Sequence, residues 1–248
     1  MALAQGVDVR NIEDASPLGQ AVMYGQALWP FVGVLVARLS VGGSLRRAGL
    51  GFRRPGWRPL GLAWAYGLGV TLAGGLLVWG TGLGGIDTGP LTGVVPLGLT
   101  VLALPYVPLA LAEDVGWRGL LVTRLAEVSG PRTVVLVSGF AWAAFHWPLI
   151  ALLGGTPGGV PAVAAVAMFT VSTLALGAVL ASMQLRWGIW PGVLAHAVVN
   201  AALYHVLEPM TTEQGATGWF ATETGLAAAV VGVAGAWLWL RRFPVRTA

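Results

Sequence analysis

TVVLVSGFAWAAFHWPLIALLGGTPGGVPAVAAVAMFTVSTLALGAVLASMQL, residues 133–185, runs for 53 residues without an Asp, Glu, Lys or Arg. A hydrocarbon core about 30 Å thick takes about 20 apolar residues of helix to cross, so this stretch is long enough for two crossings. GGTPGGVP (154–161) is its only turn-forming segment and divides it. Further uncharged gaps lie at 15–37, 59–86, 88–112, 187–207 and 224–240. Lipid offers no partner to a backbone N–H or C=O, and these runs lack the alternation of a barrel strand, so every span is read as a helix. The fold class is all-α: a polytopic membrane helix bundle, a single membrane domain over 1–248. Spans are expected at 18–40, 60–83, 91–112, 133–153, 161–184, 189–207 and 219–240. A segment 113–128 continues from the third, with Pro105 and Pro108 bending or breaking the chain before it. That gives seven transmembrane helices; a split of 91–128 at Pro105 would give eight.

Composition agrees. Of the 248 residues, 56% are hydrophobic and only 10% are charged, against about 25% in soluble domains. This excludes a soluble enzyme, a disordered chain and a nucleic-acid-binding domain. The formal charge of +4 is the excess of 14 basic residues over 10 acidic ones, and all the basic residues are Arg, scattered in short clusters at span ends. The lack of Lys, with abundant Gly, Ala and Pro, points to a bacterial genome rich in G and C. There is no cysteine, which removes disulfides, thiolate metal sites and a cysteine nucleophile. The first 20 residues have no basic segment leading into a short apolar one and read as a tail, not a cleaved signal peptide.

Arginine placement sets the orientation. With the N-terminus outside and the C-terminus cytoplasmic, Arg38, Arg46, Arg47, Arg53, Arg54, Arg58, Arg124, Arg132, Arg186, Arg241, Arg242 and Arg246 fall inside and only Arg10 outside. Asp8, Glu13, Asp14, Asp87, Glu208, Glu213 and Glu223 fall outside. Trp57, Trp187, Trp190 and Trp219 read as interface anchors, and Gly67, Gly69, Gly74 and Gly75 as close-packing positions.

Few polar side chains remain at membrane depth. They fall in AEDVGWRGLL (112–121), FAWAAFHWP (140–148) and WPGVLAHAVVN (190–200), and they are Glu113, Asp114, Arg118, His146, His196 and Asn200. Ionisable groups there are expensive and face a cavity or a partner. Asp114 and Arg118, at i and i+4, share a helix face and can pair; His196 and Asn200 stack one turn apart. Glu113 points about 100° away from Asp114. From the Ser129–Arg132 turn, Glu113 lies 16 residues back and His146 14 residues on. In a helical hairpin that is the same depth to within about 3 Å. One carboxylate, two imidazoles and an amide on one layer can activate a water and bind an oxyanion. His205 is half a turn from His196 in phase and reads as interfacial.

These three segments, in this order, resemble the CPBP family, the CAAX-protease and bacteriocin-processing (Abi) intramembrane proteases that include the Ras-converting CAAX endopeptidase. The family pattern EExxxR, FxxxH, HxxxN is met here at 113–118, 142–146 and 196–200, with Asp114 for the second glutamate and Trp142 for the phenylalanine. The resemblance covers 94–204, a CPBP-like catalytic core. It implies an intramembrane endopeptidase, of a family classed as metalloendopeptidases. Glu113 and His146 would position and deprotonate the water. His196 and Asn200 would line an oxyanion hole, and Arg118, paired to Asp114, would hold the first motif helix. Trp142 would be a packing residue. The glutamate base requires no metal, yet Glu113, His146 and His196 could also form a three-ligand zinc site. The partners implied are a peptide or protein substrate at the membrane and the bilayer itself, with no nucleic acid. A bacterium is not expected to make prenylated CAAX proteins, so the family name does not name the substrate. Two other classes are compatible with the same residues: a non-catalytic membrane scaffold or immunity factor, and a proton- or ion-coupled transporter using them as a relay.

Overall fold

The computed structural model describes residues 14–41 and 49–247. Asp8, Arg10, Glu13, Arg46 and Arg47, used above for orientation, lie outside the described residues. Among the described residues the regular structure is helical apart from one two-residue ladder. Helix α1 is Pro17–Ser40, tightened to a 3₁₀ turn at Gln26–Leu28, and α2 is Trp57–Gly80. A short α3 (Val94–Gly98) precedes α4 (Ala103–Asp114), which passes through a π-helical turn at Val115–Val122 into α5 (Thr123–Val128). Then come α6 (Pro131–Leu152), α7 (Ala162–Trp187) and α8 (Ile189–Ala202), the last prolonged by a π turn to Met210. The chain ends in α9 (Thr217–Phe220) and α10 (Leu226–Arg242).

Local chemistry sets these boundaries. Pro131 occupies the first turn of α6, where its missing N–H costs nothing, and Pro161 immediately precedes α7. Gly188, at φ +90°, breaks α7 from α8. The carbonyl of Gly51 lies where a Cβ on Gly188 would be. Arg38, Arg186 and the Arg241–Arg242 pair all sit in last turns, where a cation meets the negative end of the helix dipole.

Among the described residues, α1, α2, α6, α7 and the Ile189–Met210 rod are long and apolar enough to cross a membrane. The expected spans at 91–112 and 219–240 take other forms. The first is interrupted at 99–102, ahead of Pro105 rather than at it, and from Ala103 to Val128 the chain runs on as one rod. Pro105 therefore falls in the first turn of α4 and Pro108 lies inside it. The last helix starts later, at Leu226, and has 17 residues.

Helix α7 lies at the centre, against α6, α10 and α8, while α8 also packs on α2 and α4. Ala63, Trp142, Val179, Leu180, Met183, Ala195 and Trp239 form the core where these helices meet. The outer faces expose Leu39, Leu76, Leu136, Val163 and Leu238, an apolar exterior suited to lipid. At one end Gly85–Ile86 pairs antiparallel with Thr211–Thr212. At the other, the Ile189 N–H donates to Gly51 O at 2.9 Å and Gln184 Nε2 to Leu50 O at 3.2 Å. The first loop is thereby tied to the α7–α8 turn.

Trp57 is fully exposed, as an anchor should be, and Trp219 partly so. Trp187 and Trp190 instead pack inward, Trp187 on Trp239 and Phe243 and Trp190 on Phe52. The glycines divide too. A Cβ on Gly67 would come within 2.9 Å of Ala195 O and Val198 Cγ1, so α2 and α8 approach through it, and Gly75 similarly meets Leu207. Gly69 and Gly74 face open space. Gly67→Ala is therefore expected to destabilise the fold by about 1–3 kcal/mol, whereas Gly69→Ala stays within about 0.5 kcal/mol of wild type. Thermal unfolding of the two variants in detergent checks the contrast.

Candidate active site

The π turn Val115–Val122 follows directly on the Glu113–Asp114 pair. Such turns re-aim the side chains around them and recur at functional sites. This one is admitted by glycine: a Cβ on Gly116 would lie 2.8 Å from the Pro30 carbonyl oxygen of α1. Asp114 points inward with no exposure and Arg118 is 3% exposed, their closest atoms 3.0 Å apart. The pairing expected from sequence forms, and it has a further member. His196 Nδ1 of α8 lies 3.5 Å from Asp114 Oδ2. The Asp114 oxygens, Arg118 Nη1 and Nη2 and His196 Nδ1 are all buried without an aligned hydrogen bond among the described residues. Opposite charge in a shielded place holds this cluster together.

Glu113 turns to the other side, toward α6. Its Oε2 lies 3.9 Å from His146 Nε2, the hairpin juxtaposition expected from equal counting about the turn. Both side chains are partly open, at 13% and 22% exposure. His146 Nδ1 is 3.0 Å from the Trp142 carbonyl. A carbonyl only accepts, so the proton is on Nδ1 and a neutral His146 presents an Nε2 lone pair to Glu113. His196 turns its Nδ1 toward Asp114 without an aligned hydrogen bond. Asn200, half-buried one turn along α8, has no side-chain hydrogen bond among the described residues.

Trp142 is more than packing. Its indole Nε1–H donates to Glu113 Oε2 at 3.0 Å, and Arg118 Cζ sits 3.7 Å from its ring centroid. Its ring centroid is 5.1 Å from that of His196 and 6.1 Å from that of His146. Glu113, Arg118, His146 and His196 thus converge on one indole. His205 stays apart, its Nε2 3.1 Å from the Tyr106 hydroxyl.

Glu223, counted above as an outer acid, comes back over the site from the segment before α10. The Tyr204 hydroxyl donates to its carboxylate at 3.0 Å and Ser172 Oγ to its carbonyl at 3.4 Å. No motif marks ATETG (221–225), and the one hint in the backbone is the positive φ of Thr222, +66°.

Among the described residues no three His, Asp or Glu side chains converge as a metal site. Glu113 and His146 face each other while His196 turns its Nδ1 to Asp114. Glu113, His146 and His196 are not gathered as such a set in this arrangement.

The fold and its buried polar cluster define a helical membrane protein with a site enclosed by α4, α6 and α8. Residues 95–202, which hold all three motifs, match the family described as Type II CAAX prenyl endopeptidase Rce1-like. This segment covers somewhat less than half of the chain. No curated protein and no solved structure gives a significant match.

Removing Arg118 would leave the Asp114 charge buried without its cation, a loss of about 3–5 kcal/mol. Arg118→Ala is expected to unfold well below wild type in detergent; wild-type stability would show that the pair contributes nothing.

Proposed function

We propose that the chain is an intramembrane endopeptidase that hydrolyses a peptide bond of a membrane-associated peptide or protein, using a water activated by Glu113 and His146. The observation that carries this reading is the 3.9 Å gap between Glu113 Oε2 and His146 Nε2. Both atoms accept and neither can donate to the other. A water about 2.8 Å from each donates one hydrogen to the carboxylate and one to the imidazole, and its oxygen lone pair is left facing outward. Attack on a carbonyl passes the proton to Glu113, which can return it to the leaving amine. His196 and the unpartnered Asn200 amide are the donors for the oxyanion. Asp114 faces Nδ1 of His196, and Arg118 balances Asp114. Zinc is the alternative for the same residues: with Nδ1 turned to Asp114, His196 keeps its Nε2 for a ligand role, as metal-bound imidazoles commonly do.

We further place the chain in a bacterial cell membrane with seven crossings, N-terminus outside and C-terminus cytoplasmic. The rod from Ala103 to Val128 supplies the third crossing. The pairing of the first loop with the α7–α8 turn supports this sidedness, because it groups Arg53 and Arg186 at one end.

Glu113→Gln and His146→Ala are each expected to lower peptide cleavage in liposomes by about 10²- to 10⁴-fold while the protein inserts and melts as wild type does. Undiminished cleavage by Glu113→Gln would remove it as the base. With no native cysteine, a Gly56→Cys variant reports topology: it should resist an impermeant thiol reagent in intact cells and react after lysis. Labelling in intact cells would contradict the orientation.

A further inference from the structure

We propose that Trp142 is the positioning residue of the glutamate base, its indole N–H donating to Glu113 Oε2 and holding that oxygen at its gap to His146 Nε2. The inference rests on the reading of Glu113 as base and extends it to a residue whose family counterpart, phenylalanine, has no donor.

Three observations carry it. The bond from Trp142 Nε1 to Glu113 Oε2, 3.0 Å, is the one hydrogen bond to the Glu113 side chain among the described residues. A carboxylate on a long side chain beside a 3.9 Å gap would otherwise be free to rotate. The donor itself is immobile. Trp142 is 4% exposed, with the Arg118 guanidinium on its face and the His196 ring against it in a T-shaped contact. α7 passes the ring at Gly177, where even a Cβ would lie at an ordinary contact distance of 3.8 Å from the indole Cε3. A fixed donor on one oxygen settles the carboxylate plane before substrate arrives, so orientation is not lost at the moment of reaction. The Trp142 carbonyl fixes the His146 tautomer from the same residue, and that contact is independent of the side chain.

The test replaces the N–H alone. The full chain in liposomes is assayed on one quenched fluorescent peptide that wild type cleaves, chosen from a library. Trp142→Phe is compared with a benzothienylalanine at position 142, which keeps the fused ring and has sulfur in place of N–H. Both are expected to lower kcat about 10- to 100-fold with KM unchanged, and neither should lower the rate further in a Glu113→Gln background. The isostere should melt with wild type. Independently of turnover, the carboxylate stretch of Glu113, assigned by its loss in Glu113→Gln, should shift in the isostere's infrared difference spectrum. An isostere with wild-type kcat, or an unshifted carboxylate band, overturns the proposal. If Glu113→Gln cleaves at the wild-type rate, the base assignment falls instead; the carboxylate band then still decides whether the indole holds the side chain.

Discussion

A carboxylate with no exposure, Asp114, is the point on which the site depends. An ion in so shielded a place costs several kcal/mol unless it is balanced, and Asp114 faces Arg118 on one side and His196 on the other. Meeting both ties the π turn after α4 to α8. Arg118 in turn lies on Trp142 of α6. One buried negative charge therefore fixes three helices relative to one another, and it does so through the two positions at which the chain departs from the family pattern. Asp114 is a methylene shorter than glutamate and Trp142 a ring larger than phenylalanine, and the guanidinium lies between them.

Charges that must be buried explain why the polar cluster is divided. Asp114, Arg118 and His196 Nδ1 form the dry half, shielded and off the hydrogen-bond line. Glu113 and His146 form the accessible half, each partly exposed and separated by a gap that a water fits. Trp142 is the wall between them.

Much of this was legible in the residues. Charge-free runs of about 20 residues give the helices, because the bilayer admits little else. Counting from the Ser129–Arg132 turn gives the depth match of Glu113 and His146, because helix rise is constant. Helical phase gives the Asp114–Arg118 pair. What escaped depends on tertiary contact. The break at 99–102 contains no proline, and the π turn arises where Gly116 lets α1 approach. Trp187 and Trp190 have the composition of interface anchors but find aromatic partners across the bundle. Nothing local distinguishes Glu223 from a loop acid; its place over the site is set by Tyr204 and Ser172, distant in the chain.

The central claim is that a water held by Glu113 and His146, without a metal, attacks the peptide bond. Single-turnover cleavage in H₂¹⁸O, run on protein stripped exhaustively by chelators, tests it most directly. The account predicts an undiminished rate and one ¹⁸O in the new C-terminal carboxylate. Loss of cleavage on stripping, with recovery on adding about one zinc per chain, would contradict it.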